Sequence, residues 1–194
     1  MRYIISALFL SLLIFTLSFR PKNSSKKFNI NTAISTVSNE INTAKKDTVQ
    51  RVDIIQEARD FVEYAKTLIG THYLYGSVDP HSGLDCSGFI NCVSNHFGIK
   101  VPRSSVEFTN FGTTIDTNSA GPGDLILFTG TDPNKHIVGH IGIITDNING
   151  QVQFIHSSSG KLKGVTISDL DGYYKTRFVK VIRIFPAGAN KNVA

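Results

Sequence analysis

One stretch of the chain joins an acid, a thiol and the start of a helix: Gly83-Leu84-Asp85-Cys86-Ser87-Gly88-Phe89-Ile90-Asn91-Cys92-Val93. Phe89, Ile90, Val93 and Phe97 recur at helical offsets, so the spacing predicts a helix beginning at or near Cys86. Amide N–H groups in a first turn have no intrahelical partner, and the helix dipole favours negative charge there. A thiol at such an end has its thiolate stabilised, and the thiolate is the nucleophile. Most cysteines, though, are small buried hydrophobes, and Cys86 taken alone fits that description too. A thiol nucleophile also needs a base for its proton and a donor for a leaving amine, and histidine does both near neutral pH. Of six histidines, His140 falls inside Gly139-His140-Ile141-Gly142 and His156 closes Phe154-Ile155-His156. Glycine within a strand often marks close approach by other backbone or by a ligand. A hairpin would set the two histidines side by side, one as base and the other orienting it. His136 is the rival base; His72, His81 and His96 lie in loops or on the helix.

Positioning these groups calls for helices early in the chain and strands later. Val52, Ile55, Ala58, Val62, Ala65 and Ile69 repeat at three- and four-residue steps, which predicts an amphipathic helix ending at Gly70. Tyr73-Leu74-Tyr75-Gly76 and Asp79-Pro80 then lead through an extended segment and turns to the cysteine helix. Ser104 and Glu107 fit a capping box for a short helix after Pro102. Past the turn Gly121-Pro122-Gly123-Asp124 the pattern becomes that of strands. They are predicted over Leu125 to Thr129, Val138 to Thr145, Val152 to His156 and Phe178 to Ile184, with a turn at Asn149-Gly150. Helices first and strands second indicate an α+β domain with an antiparallel sheet.

The 194 residues suit one domain and an appendage, and a hydrophobic content of 41% allows a buried core. Much of the net charge of +5 sits before residue 52, in Arg20, Lys22, Lys26, Lys27, Lys45 and Lys46. Such an arm suits peripheral association with an anionic membrane or an acidic wall polymer; a solvated tail is the plainer reading. No arginine-rich or aromatic-interleaved pattern argues for nucleic acid. The two cysteines, six apart in one helix, are separated by ~9 Å of rise and ~240° of rotation. A disulfide needs Cα atoms within ~7 Å, so the pair should not bridge and Cys92 reads as core. Met1 to Ser18 has the parts of a secretory signal: Arg2, the uncharged run Ile4 to Phe15, and the small-residue site Thr16-Leu17-Ser18. The run falls short of the ~20 residues that span a bilayer. Export, to the periplasm or beyond the cell, is therefore expected, with a retained N-terminal anchor as the alternative. The resulting plan is a signal over 1–18, a basic flexible linker over 19–50, a catalytic domain over 51–185 and a tail over 186–194.

Residues from about 54 to 184 resemble the NlpC family of papain-like cell-wall cysteine peptidases. The resemblance is carried by Tyr73-Leu74-Tyr75-Gly76, Leu84-Asp85-Cys86-Ser87-Gly88-Phe89, Val101-Pro102-Arg103-Ser104, Pro122-Gly123-Asp124-Leu125, Gly139-His140-Ile141-Gly142-Ile143 and Phe154-Ile155-His156. It implies a papain-like α+β fold, N-terminal helices with the nucleophile at a helix N-terminus packed on an antiparallel sheet. It further implies Cys86 as nucleophile, His140 as base and His156 as the polar residue orienting it. Tyr73 would lie at the oxyanion site, and Asp85 would help bind the free amine of a peptide, with Ser87 in the same oxyanion and substrate-binding group. No cofactor or metal is called for. The implied function is hydrolysis of amide bonds in peptidoglycan stem peptides, at the bond between D-glutamate and the diamino acid. An amidase or acyltransferase of the same fold, and a wall-binding module without turnover, are the rivals. Asp85 also has a plainer reading, as cap of the cysteine helix. Where the family usually has proline before the tyrosine and a second glycine after its block, this chain has His72 and Ser77. Those departures bear on the shape of the groove. Arg103 matches a family position without an assigned role.

Overall fold

In the computed structural model, which describes residues 30–132 and 134–185, the first element is a 38-residue helix, α1 (Ile30–Thr67). It begins inside the segment read as a flexible linker, and that reading is corrected from residue 30 onward. Ser, Asn and Thr are frequent over residues 30–50. Their side chains compete with helical backbone bonds or lose rotamer freedom, which masks the helix in the sequence. The signal, the rest of the linker and the tail lie outside the described residues. The chain falls into two units, one ending at Ile41 and the other beginning at Asn42. In the first, Ile34, Val37 and Ile41 are exposed. In the second, α1 buries Phe61, Val62 and Ala65, with Ile54, Ala58, Tyr64 and Leu68 partly covered. The helical period matches expectation, but the buried stripe is rotated, and Val52, Ile55 and Ile69 are exposed. Phe61, the bulkiest apolar residue there, sets which face turns inward.

Helix α2 (Cys86–His96) buries Phe89, Ile90 and Val93, the residues whose spacing announced it. A 3₁₀ turn follows over Ser105–Asn110, with the Glu107 carboxylate accepting the Ser104 amide at 2.9 Å. Six strands then form one sheet: β1 (Thr113–Ile115), β2 (Leu125–Thr129), β3 (Val138–Ile148), β4 (Gln151–Ser158), β5 (Gly164–Asp169) and β6 (Phe178–Arg183). Their order is β1-β6-β2-β3-β4-β5, antiparallel throughout. A short helix, α3 (Gly172–Arg177), precedes β6. Elements β1 and α3 are too short to show a period, and neither they nor β5 were legible beforehand.

Every residue of β2 is buried, because the sheet is covered on both faces. Leu125, Leu127, Ile141, Ile143, Ile155 and Ile182 join one core with α1 and α2. Ile126, Phe128, Ile144, Phe154 and Val181 form the other, against Tyr174 and Phe178. Fully burying a side chain such as Phe89 contributes about 1.5–3 kcal/mol, so α2 and the thiol it carries are firmly seated. Among the described residues, no helix is long and apolar enough to cross a membrane.

Candidate active site

The thiol is positioned by a cap. Asp85 is the N-cap of α2, in extended backbone, and its Oδ1 accepts the Gly88 amide at 2.6 Å. Cys86 thereby occupies the first helical position, as the spacing predicted. The same carboxylate is gripped by Arg103, whose Nη1 and Nη2 donate to Oδ1 and Oδ2 at 3.1 and 2.7 Å. The Gly76 amide donates to Oδ2 at 2.8 Å and the Ser87 hydroxyl to Oδ1 at 3.3 Å. Asp85 is buried and its oxygens carry five donors, so the capping reading has its full geometry here. Arg103 gains a role: it neutralises the cap and also holds Ser87 Oγ at 3.0 Å. Ser77, at a departure from the family pattern, accepts the Asp85 amide through its backbone carbonyl at 3.1 Å. His72 makes an isolated bridge to Gly164.

Across from the helix, Cys86 Sγ lies 3.9 Å from the carbonyl oxygen of Gly139, the residue before His140. His140 faces Phe128 across the β2–β3 pairing, whereas β3 and β4 set Ile143 opposite Ile155. The two histidines are therefore diagonal neighbours, and they meet: His140 Nε2 is 2.9 Å from His156 Nδ1, ring planes at 89°. The flanking glycines make room for this. A Cβ on Gly142 would lie 2.7 Å from a Phe154 ring carbon and 3.3 Å from His156 Cβ, and one on Gly139 would lie 2.6 Å from Gly130 Cα. The far nitrogen of His156, Nε2, meets Ser168 Oγ at 3.0 Å and Tyr174 Oη at 3.2 Å. His156 is fully buried. His136 is exposed in the loop before β3.

Burial decides how these groups titrate. It pushes the Cys86 thiol up to about 11, with the Asp85 charge adding to the rise. The Ser87 and Cys86 amides and Arg103 pull the other way, so the helix N-terminus acts in the expected sense but is outweighed. Burial, then His156, then Arg177 hold His140 well below the usual imidazole range. Burial and Arg177 bring His156 down to about 4. Asp85 stays low: burial works against ionisation, but Arg103 and the Gly88 and Gly76 amides prevail. Tyr73 is half-buried, and burial followed by the nearby Cys86 and Asp85 charges raises its phenol. Cys92 is a free, half-buried thiol packed against the core. Among the described residues, no cluster of three or more His, Cys, Asp or Glu is placed to hold a metal ion.

Sequence reasoning missed Ser168, Tyr174 and Arg177, all on elements it did not find. Val165 and Ile167 alternate in β5, and that was the available signal for Ser168.

A cysteine on a helix N-terminus set against an antiparallel sheet that carries histidines defines the papain-like class of α+β domains. The chain belongs to the NlpC/P60 family, whose profile matches residues 70–183. It is 38% identical over 118 residues to the probable endopeptidase NlpC of Escherichia coli K12, covering 59% of this chain and 70% of that one. It is 30% identical over 138 residues to the murein DD-endopeptidase MepS/murein LD-carboxypeptidase of the same organism, covering 70% of this chain and 66% of the relative. Among solved structures, an NlpC/P60 family protein from Bacillus cereus superposes with a TM-score of 0.59 at 28% identity. That match covers 66% of this chain and 40% of the other.

Proposed function

We propose that this cell-wall peptidase is an exported cysteine enzyme that hydrolyses an amide bond in peptidoglycan stem peptides through Cys86, His140 and His156. The observation that carries the reading is the 2.9 Å contact between His140 Nε2 and His156 Nδ1, beside a strand residue whose carbonyl meets the thiol. With Nε2 of His140 taken, Nδ1 is the nitrogen left for the thiol. For Nδ1 to act as base, Nε2 must carry the proton and donate to His156 Nδ1. That tautomer is assigned from the network, and it leaves the His156 Nε2 proton shared between Ser168 and Tyr174.

Burial raises the thiol to about 11 and holds the imidazole low, which favours a neutral resting pair over thiolate and imidazolium. Proton transfer to His140 then accompanies attack on the carbonyl rather than preceding it. In the first turn the Gly88 and Phe89 amides are engaged by Asp85. The Cys86 and Ser87 amides remain for the developing oxyanion, with the Tyr73 phenol as a further donor. His140 next protonates the leaving amine, and water resolves the thioester.

The bond we favour joins D-glutamate to the diamino acid, as the family resemblance implies. The name of the MepS relative favours a second reading, a DD cross-link. Asp85 would favour stems with a free amine only if an ammonium shared an oxygen that already has two or three donors. The test is to incubate the full chain and Cys86→Ala with muropeptides and weigh the products. Cleavage between D-glutamate and the diamino acid, absent with Cys86→Ala, is expected. Release of sugar from peptide would indicate an amidase, transfer to an added amine an acyltransferase, and binding without products a wall module. Equal rates on L-alanyl-D-glutamyl-diamino acid and its N-acetylated form would remove the amine-binding role of Asp85.

A further inference from the structure

Arg177 is buried in α3, yet among the described residues no carboxylate meets it. Its guanidinium spends its donors on neutral oxygens. Nε reaches the Gly130 carbonyl at 3.0 Å, Nη2 the Thr129 carbonyl at 2.6 Å, and Nη1 the Tyr173 hydroxyl. The guanidinium carbon also lies 4.7 Å from the centre of the Tyr173 ring. A buried charge is normally paired, because water solvates it far better than protein does. Here the two gripped carbonyls close β2, where the pairing with β3 shifts register between Phe128 and Thr129. Gly130 is also the residue that presses on Gly139, whose own carbonyl meets the Cys86 thiol. The clamp therefore acts on the short backbone segment that carries His140.

We infer that Arg177 is a positioning residue of this active site, fixing the Gly130–Gly139 contact beneath His140 and setting a buried cation on the same short helix whose Tyr174 meets His156. The inference rests on His140 being the base. The charged and titratable groups facing the pair are Cys86 from α2, backed by Asp85, Arg103 and Tyr73, and Tyr174 and Arg177 from α3. Of these, Arg177 depresses both imidazoles, so it opposes the imidazolium at rest. Lysine keeps the charge but cannot hold both carbonyls in one plane, whereas glutamine loses the charge.

The experiment compares the full-length chain with Arg177→Lys and Arg177→Gln, reading imidazole titrations by NMR and the pH profile of kcat/KM on muropeptides. In Arg177→Gln both imidazoles should titrate higher, though burial still holds them low, and the acid limb of the profile should move up with them. In Arg177→Lys the titrations should stay near wild type while kcat falls. A folded Arg177→Gln with unmoved imidazole titrations would overturn the inference, as would an Arg177→Lys with full kcat. Should Arg177→Gln fail to fold, Arg177→Lys decides alone. The NMR arm needs no turnover, so loss of the proposed peptidase function would leave it readable.

Discussion

On the helix side of Cys86 a buried carboxylate is gripped by an exposed cation; on the sheet side a cation is buried and, among the described residues, meets no carboxylate. Asp85 is matched by Arg103, two amides and a hydroxyl, and it remains ionised. His140 and His156 rest on each other and on Ser168 and Tyr174, with Arg177 repelling any proton they would take up. The two flanks work in the same direction. A negative charge beside the thiol disfavours thiolate, and a positive charge beside the imidazoles disfavours imidazolium. On the proposed mechanism, burial first and these charges second work against a resting ion pair, so charge separation would accompany attack on the substrate.

The sharpest way to break the comparison is to remove the proposed base. His140→Ala should lower kcat/KM by about 10²–10⁴-fold while the far-UV spectrum stays native. His136→Ala should be close to wild type, since that ring is exposed in a loop. Equal damage from both substitutions would mean that the sheet flank holds the wrong base.

The helix flank is tested by Asp85→Asn. Asparagine can still cap α2, but it loses the charge that Arg103 grips. Stability should drop by about 1–3 kcal/mol, the cost of leaving a buried polar group short of its partner. The same change removes a charge that raises the Cys86 thiol and leaves Arg103 uncompensated beside it. Alkylation of Cys86 at mild alkaline pH should therefore quicken by roughly three- to ten-fold. An unchanged rate of labelling would show that burial alone sets the thiol, and the two flanks would then not be acting together.

What could be read from the sequence follows the same division. The helix flank is contiguous: Asp85, Cys86 and Ser87 are neighbours, and Phe89, Ile90 and Val93 announce the helix, so its layout was visible apart from Arg103. The sheet flank depends on register. His140 stood out through its glycines and His156 through its place at a strand end, but their diagonal contact arises from β3 pairing with β4, Ile143 opposite Ile155. Ser168, Tyr174 and Arg177 come from a short strand and a six-residue helix, below the length at which periodicity separates from noise. In α1 the period was right and Val62 and Ala65 turn inward as expected, but the stripe is shifted so that Phe61 joins them while Val52, Ile55 and Ile69 stay exposed.

The smallest effect belongs to the two hydroxyls behind His156. Its Nε2 lies 3.0 Å from Ser168 Oγ and 3.2 Å from Tyr174 Oη, and a single N–H must satisfy both. Deleting one hydroxyl leaves the other in place, so Tyr174→Phe and Ser168→Ala should each cost no more than one neutral hydrogen bond, about 0.5–1.5 kcal/mol or roughly two- to ten-fold in kcat. Deleting both leaves a buried N–H with neither partner. The easiest escape is for His156 to move its proton to Nδ1, which would then donate to His140 Nε2 and force the His140 proton onto the nitrogen that faces the thiol. The double variant should therefore lose more than the product of the two single losses, in kcat rather than KM, since what changes is the tautomer of the proposed base. A double-mutant cycle measured at a fixed pH above neutrality reads this coupling directly. Strictly multiplicative losses would mean that the hydroxyls merely fill space, and that the sheet flank keeps its tautomer by some other means.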